Sequence, residues 1–134
     1  MEKIITKIPV TPPGTPNSNG IILDPESYEK VMNSERTKEM IKNKTFFLVF
    51  YVEEGTINID LKYVIGTIIN WTTEYIEVEM DNQKFTDFII PLGKNCIAGI
   101  IGGGEFIKDS DKIFKLSYMN GFQLLTGKYE NIKR

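Results

Sequence analysis

The 134-residue chain contains no histidine. That absence removes the commonest general base, the usual proton shuttle near neutral pH and the commonest metal ligand together. Ser27, Ser34, Ser110 and Ser117 have no imidazole to take a proton, and none sits in a motif with a lysine, so triad and dyad chemistry find no support. Cysteine is almost as scarce. Cys96 is alone, cannot form an intrachain disulfide and, without histidine, joins no Cys/His zinc site. It reads as a small, half-buried residue in an apolar stretch, and neither a metal nor a cofactor is expected.

Arginine is nearly missing too. Arg36 and Arg134 are the two guanidinium groups, and the net charge is −2. A phosphate-reading surface leans on arginine forks and a positive field, so nucleic acid is not an expected partner. No apolar run reaches the roughly 18 residues that cross a bilayer. Pro9 also arrives too early in Met1 to Val10 for a secretory apolar segment. A chain made in a cytoplasm, with no membrane partner, is expected; the sequons at Asn43 and Asn70 mean nothing without export.

What is present suits one soluble core: 41% of residues are hydrophobic and 25% charged. Lys3 to Val10 alternates loosely and reads as a strand. Thr11 to Gly20 is dense in turn-formers, with Pro12, Pro13, Gly14, Pro16 and the pair Asn19-Gly20, and reads as a defined loop or arm. Asp24-Pro25-Glu26 is a helix start: a capping carboxylate, a proline suited to the first turn and an acid near the positive helix end. Tyr28, Val31, Met32, Met40 and Ile41 supply an apolar face. The pattern fits one prominent helix near residues 25–43, of about 18 residues, or two short ones breaking near Ser34.

From Phe46 the pattern is β. Phe46 to Val52 reads as a strand buried on both faces, Ile57 to Asn70 as the next, and Trp71 to Glu74 as a turn. Tyr75 to Met80 alternates, with Ile76, Val78 and Met80 inward and Glu77 and Glu79 outward. Phe85 to Leu92 is ambiguous. Cys96 to Ile101 and Lys112 to Tyr118 read as strands, with Asn120-Gly121 as a hairpin turn before Phe122 to Thr126. The sum is a mainly β (α+β) fold, a small barrel or sandwich of about six to seven strands. Residues 1–20 form an N-terminal strand and arm, 21–127 the β-rich domain and 128–134 a tail.

The remaining constellations have structural explanations. Glu53, Glu54, Glu77 and Glu79 could pair as glycosidase carboxylates, but strand alternation accounts for the last two. Asp109-Ser110-Asp111 opens like a calcium loop, yet Phe114 and Asn120 stand where Gly and Glu are required. Gly99 to Gly104 lacks phosphate-loop spacing and reads as a bulge, bend or close backbone approach. The rings of Phe46, Phe47, Phe50, Tyr51, Tyr63, Trp71 and Tyr75 have Lys62 as their one interleaved base, which suits core packing better than a base-stacking platform.

Taken in order, several segments resemble phage prohead maturation proteases. Pro16-Asn17-Ser18-Asn19-Gly20-Ile21-Ile22 followed by Pro25 is similar to that family's Pro-Asn-x-Asn-Gly-Arg-Ile-Tyr-Pro element. Phe46 to Phe50, Ile59-Asp60-Leu61 with Ile68 to Trp71, Glu74 to Met80, Ile97 to Gly103 and Phe122 to Thr126 fall where the family places its strands. The similarity spans residues 16–127 and implies a small barrel with helices, as in herpesvirus assemblins. It also implies lost chemistry. Val52 stands near the place of the family's catalytic histidine, and Ala98-Gly99-Ile100 near that of its serine; no arginine remains there.

The resemblance implies a non-enzymatic structural protein of a tailed-phage particle, an auxiliary or decorating capsid protein on a prohead-protease-like fold. It would be made in the host cytoplasm and reside in the virion, bound to the major capsid protein or other virion subunits; homo-oligomerisation is compatible with this. The candidate protein-binding residues are Pro12, Pro13, Pro16, Asn17, Asn19 and Gly20, with strand edges beside them. The alternative from another class is a small phage-encoded inhibitor or ligand-sequestering protein acting on a host enzyme or defence pathway.

Overall fold

The computed structural model describes residues 2–17, 19–53, 56 and 58–125. The expected tail at 128–134 lies outside the described residues, as do Ser18, Glu54, Ile57 and Thr126. The protein is mainly β, an α+β fold whose seven strands make one mixed sheet. β1 (Lys3–Pro9) pairs antiparallel with β5 (Tyr75–Asp81) in unbroken register, from Lys3 opposite Asp81 to Pro9 opposite Tyr75. β5 joins β4 (Val64–Trp71), and β4 joins the short β3 (Phe47–Val49). β7 (Ile113–Leu125) follows, with β6 (Ile97–Phe106) laddered along one edge. Its other edge takes β3 opposite Gly121 to Gln123 and β2 (Ile22–Leu23) opposite Ile113 and Phe114, both parallel.

The sheet is not closed into the expected barrel. A lone parallel bridge between Val10 and Ala98 links the β1 end to β6. The cause is local: Pro12 and Pro13 lack N–H donors and turn the chain away just past Val10, so β1 cannot run on beside β6. Residues 1–20 are also no separate appendage. Ile8 is fully buried and Val10 nearly so, both inside the main core. Removing residues 1–19 would strip a strand and two core side chains from the domain.

The helical face expected at 25–43 is divided between α1 (Pro25–Met32) and α2 (Glu35–Lys42). Asp24 caps α1, its carboxylate accepting from the Ser27 amide at 2.9 Å, with Pro25 in the first turn. Ser34 makes the break. Its Oγ accepts from the Thr37 amide, capping α2, and donates to the Val31 carbonyl at 2.8 Å, closing α1. The ambiguous stretch at Phe85 is helical: α3 (Asn82–Lys84) passes into a π turn over Phe85–Ile89 and a 3₁₀ segment over Ile90–Asn95. Phe85, Phe88, Ile89 and Leu92 recur at helical spacing and pack on the core.

The hairpin expected at Asn120-Gly121 does not exist. β7 runs straight through it, because Gly121 is held by Phe47 on one edge and Ile101 on the other. Asn120 is instead the extra residue of a bulge opposite the Ile101–Gly102 step. The strand expected from Ile57 starts later, after a 3₁₀ turn over Leu61–Tyr63 capped by Asp60. Asp109 to Asp111 lies in the turn between β6 and β7, with the Ser110 hydroxyl accepting from the Lys112 and Ile113 amides.

Between β2 and β3, β7 has no neighbouring strand on that edge among the described residues. Two side chains take a strand's place. Ser27 Oγ accepts from the Leu116 amide at 3.1 Å while donating to the Asp24 carbonyl. Arg36 donates to the Met119 carbonyl and, at 2.8 Å, to Asn120 Oδ1. The helix pair is thus fixed to the sheet through backbone groups of β7 that would otherwise be unsatisfied.

The main core lies on one sheet face under α1. Tyr28, Phe46, Trp71 and Phe122 meet there edge-on or tilted, with centroids 5.2–6.0 Å apart. Val49, Val52 and Ile101 form a small second cluster, so β3 is buried on both faces, with Leu48 turned to the main core.

Candidate protein-docking site

The arm is folded by its own polar groups. Asn17 Oδ1 accepts from the amides of Asn19 and Ile21 at 2.9 and 3.0 Å, and the Asn17 amide donates to the Ile21 carbonyl. Gly20, at φ 78°, supplies the left-handed residue this turn needs. Pro16 then bridges Ile22, and the Gly14 amide donates to the Leu23 carbonyl. The expected binding residues are therefore a compact turn folded against β2. Pro12, Pro16, Asn19 and Gly20 are exposed; Pro13 and Asn17 are half-buried.

Of those six residues, Asn17 reaches a cavity. A groove of about 260 Å³ separates Thr11, Thr15, Asn17 and Ile21 of the arm from Ala98, Ile100 and Phe106 of β6, with Leu23 and Phe114 among its lining. No lining residue carries a charge. Beside it runs the edge of β6 that faces away from β7. Past the Ala98 bridge, residues 99–106 have no ladder on that edge among the described residues.

The sheet's two open edges differ in kind. β1 carries Lys3, Lys7 and Pro9, the residues that discourage another strand from pairing. β6 has no proline or lysine, and Glu105 near its end is its one charge. Three successive glycines, Gly102 to Gly104, bare its backbone. The strand approaches β7 as closely as the sequence suggests: a Cβ on Gly102 would stand 2.3 Å from the Tyr118 carbonyl oxygen, and one on Gly104 2.1 Å from that of Lys115. The cluster lies within β6, not at its end. The sequence signal for this edge is the glycine run without Pro or Lys, which reads equally well as plain close packing.

The side chains at the two places where the resemblance puts histidine and serine fall in different clusters: Ala98 and Ile100 belong to the main core, Val52 to the smaller one. Val52 packs with Val49 and Ile101, the residue directly after Ala98-Gly99-Ile100. Val52 and Ile101 are 5% and 4% exposed, so apolar side chains fill that smaller cluster. Ser27 and Ser34 are committed to backbone hydrogen bonds. Glu77 takes a hydrogen bond from Asn70, and Glu79 faces Lys3 at 4.0 Å on the solvent side of β5. Cys96 is buried, which pushes its thiol pKa up and away from reactive thiolate.

The other features are less selective. A wider cleft, about 590 Å³, sets Lys30, Lys108 and Lys115 against Asp24, Glu26 and Glu105, leaving no field of one sign. Phe46 and Trp71 belong to the core, while Phe50 stacks on Phe88 and meets Tyr63 edge-on, so the rings satisfy one another. Among the described residues no three His, Cys, Asp or Glu side chains converge to hold a metal, and no helix is long and apolar enough to cross a membrane. Comparison with protein-family models, with curated proteins and with solved structures finds no match to this chain.

Proposed function

We propose that this chain is a non-enzymatic binding protein, a structural component of a tailed-phage particle that decorates the capsid by adding a partner's strand to its sheet. The observation that carries the binding reading is the β6 edge: without a ladder over residues 99–106 among the described residues, free of proline and lysine, and next to an uncharged groove. The particle as its setting rests on the sequence resemblance across residues 16–127. Apolar packing of Val52, near the place the resemblance gives the family's histidine, and of Ala98 and Ile100, near that of its serine, supports attachment without cleavage. Repetition of one modest contact over a symmetric shell would supply avidity.

The test is co-sedimentation of the purified protein with particles of a phage that encodes it, with copy number read by quantitative mass spectrometry. A fixed, high copy number per capsid is expected. Absence from particles would overturn the structural reading and put the inhibitor of a host enzyme in its place.

A further inference from the structure

The geometry points to a single occupant for the groove beside β6: one extended peptide segment of a partner protein, uncharged and with apolar side chains at alternate positions. This rests on the binding reading above and deepens it. A strand laid along residues 99–106 meets backbone groups of β6 that pair with nothing on that edge among the described residues, and the adjoining groove is lined by Thr11, Thr15 and Asn17 of the arm. Alternate side chains of an extended chain point to one face. Here that face would meet Ile21, Leu23, Ile100, Phe106 and Phe114, among which Phe106 is 43% exposed and wants cover.

Charge and size narrow the choice. An uncharged lining would strip water from a lysine or glutamate without offering a counter-charge, so a charged segment is disfavoured. The volume, about 260 Å³, lies below the usual range for small-molecule pockets and suits side chains inserted from a backbone that stays at the rim. A second copy of this chain fits less well. Its β1 edge would bring Lys3, Lys7 and Pro9 and its β6 edge Glu105, whereas an uncharged strand brings no charge to the uncharged lining. The arm is then one wall of the cleft, and Asn17, singled out in the sequence, acts from that wall.

The experiment uses the full ¹⁵N-labelled chain and a capped peptide of alternating valine and threonine, about seven residues long. Amide shifts confined to Gly99–Phe106 and to the 11–21 turn are expected. A peptide with central proline, or with lysine for valine, should bind at least tenfold more weakly. Thr15→Lys, at an exposed position outside the strands, should lose at least tenfold in peptide affinity with an unchanged Tm. Shifts elsewhere, no shifts at millimolar peptide, or equal binding by the Thr15→Lys chain would overturn the inference. Co-sedimentation separates the two claims. Particles that bind Thr15→Lys as well as the parent overturn the groove as the contact and leave the particle reading standing. Peptide binding without any particle binding does the reverse.

Discussion

The indole Nε1–H of Trp71 donates to the hydroxyl oxygen of Tyr28 at 2.9 Å, inside a core where Tyr28 is fully buried and Trp71 is 5% exposed. The bond ties α1 to the end of β4, and the rings meet edge-on at 5.2 Å. Tyr28→Phe keeps the ring contact and strands the indole donor, so a loss of about 1–3 kcal/mol is expected. Urea denaturation followed by far-ultraviolet circular dichroism, a signal that survives loss of the sole tryptophan, measures it in every variant. Adding Trp71→Phe to Tyr28→Phe should recover part of the hydrogen-bond penalty; a double variant weaker than the sum of both single losses would contradict the pairing.

The same hydroxyl gives the stability an alkaline limit. Burial, only partly opposed by the Trp71 hydrogen bond, raises the Tyr28 pKa from 10.0 to about 12. The neutral phenol is the form the fold prefers. Its contribution is complete below the unfolded pKa and disappears as pH climbs through the folded one, so the window is pH 10 to 12. Two pH units correspond to about 2–3 kcal/mol. The parent should lose more stability than Tyr28→Phe across that window; parallel curves would show that Tyr28 does not drive the loss.

Ser27→Ala tests the side chain that stands in for a strand. It leaves the Leu116 amide without its acceptor in a buried position, for an expected loss of about 1–3 kcal/mol. Arg36→Ala, whose bonds lie nearer solvent, should lose less. Native-state hydrogen exchange reads the effect residue by residue, and the Leu116 amide should accelerate more than its neighbours in Ser27→Ala.

Gly102→Ala tests the close approach of β6 to β7. Its Cβ would be driven against the Tyr118 carbonyl oxygen, a backbone atom that cannot swing aside. A loss of about 1–3 kcal/mol is expected from the displaced ladder. Gly93→Ala meets no atom within 4 Å, so any loss there comes from the backbone strain of φ 51° and ψ −123° alone. Thermal denaturation of the pair ranks them; a harmless Gly102→Ala would mean β6 has slack that the ladder does not show.

Local chemistry made much of the fold legible. Asp24-Pro25-Glu26 starts a helix in isolation, and Ile76, Val78 and Met80 choose their face by alternation alone. Ser34 could be named as a break point because a hydroxyl that caps one helix also ends another. Asn120-Gly121 misleads because its turn preference is worth little beside two flanking strands that pair with Gly121. Phe85 to Leu92 carried a helical spacing that Pro91 obscured; the proline sits in a new 3₁₀ segment and does not end the structure. The groove was not legible at all. It arises where residues 10–23 are laid against 98–125, a juxtaposition set by the turn at Pro12-Pro13 and the open sheet.

β7 bears on the order in which the chain can assemble. Its partners are β2, β3 and β6, together with Ser27 and Arg36, and the Ser27 contact spans 89 positions. Antiparallel pairing of β4 with β5 is local, whereas β2 and β3 must wait for a strand made long after them. During synthesis the helix pair and both parallel strands remain without their support until residues 113–125 emerge. Such non-local closure makes for slow folding, and the floor of the groove exists only after the final strand has docked. If the groove is the docking site proposed above, competence to bind is thereby withheld from a partly made chain.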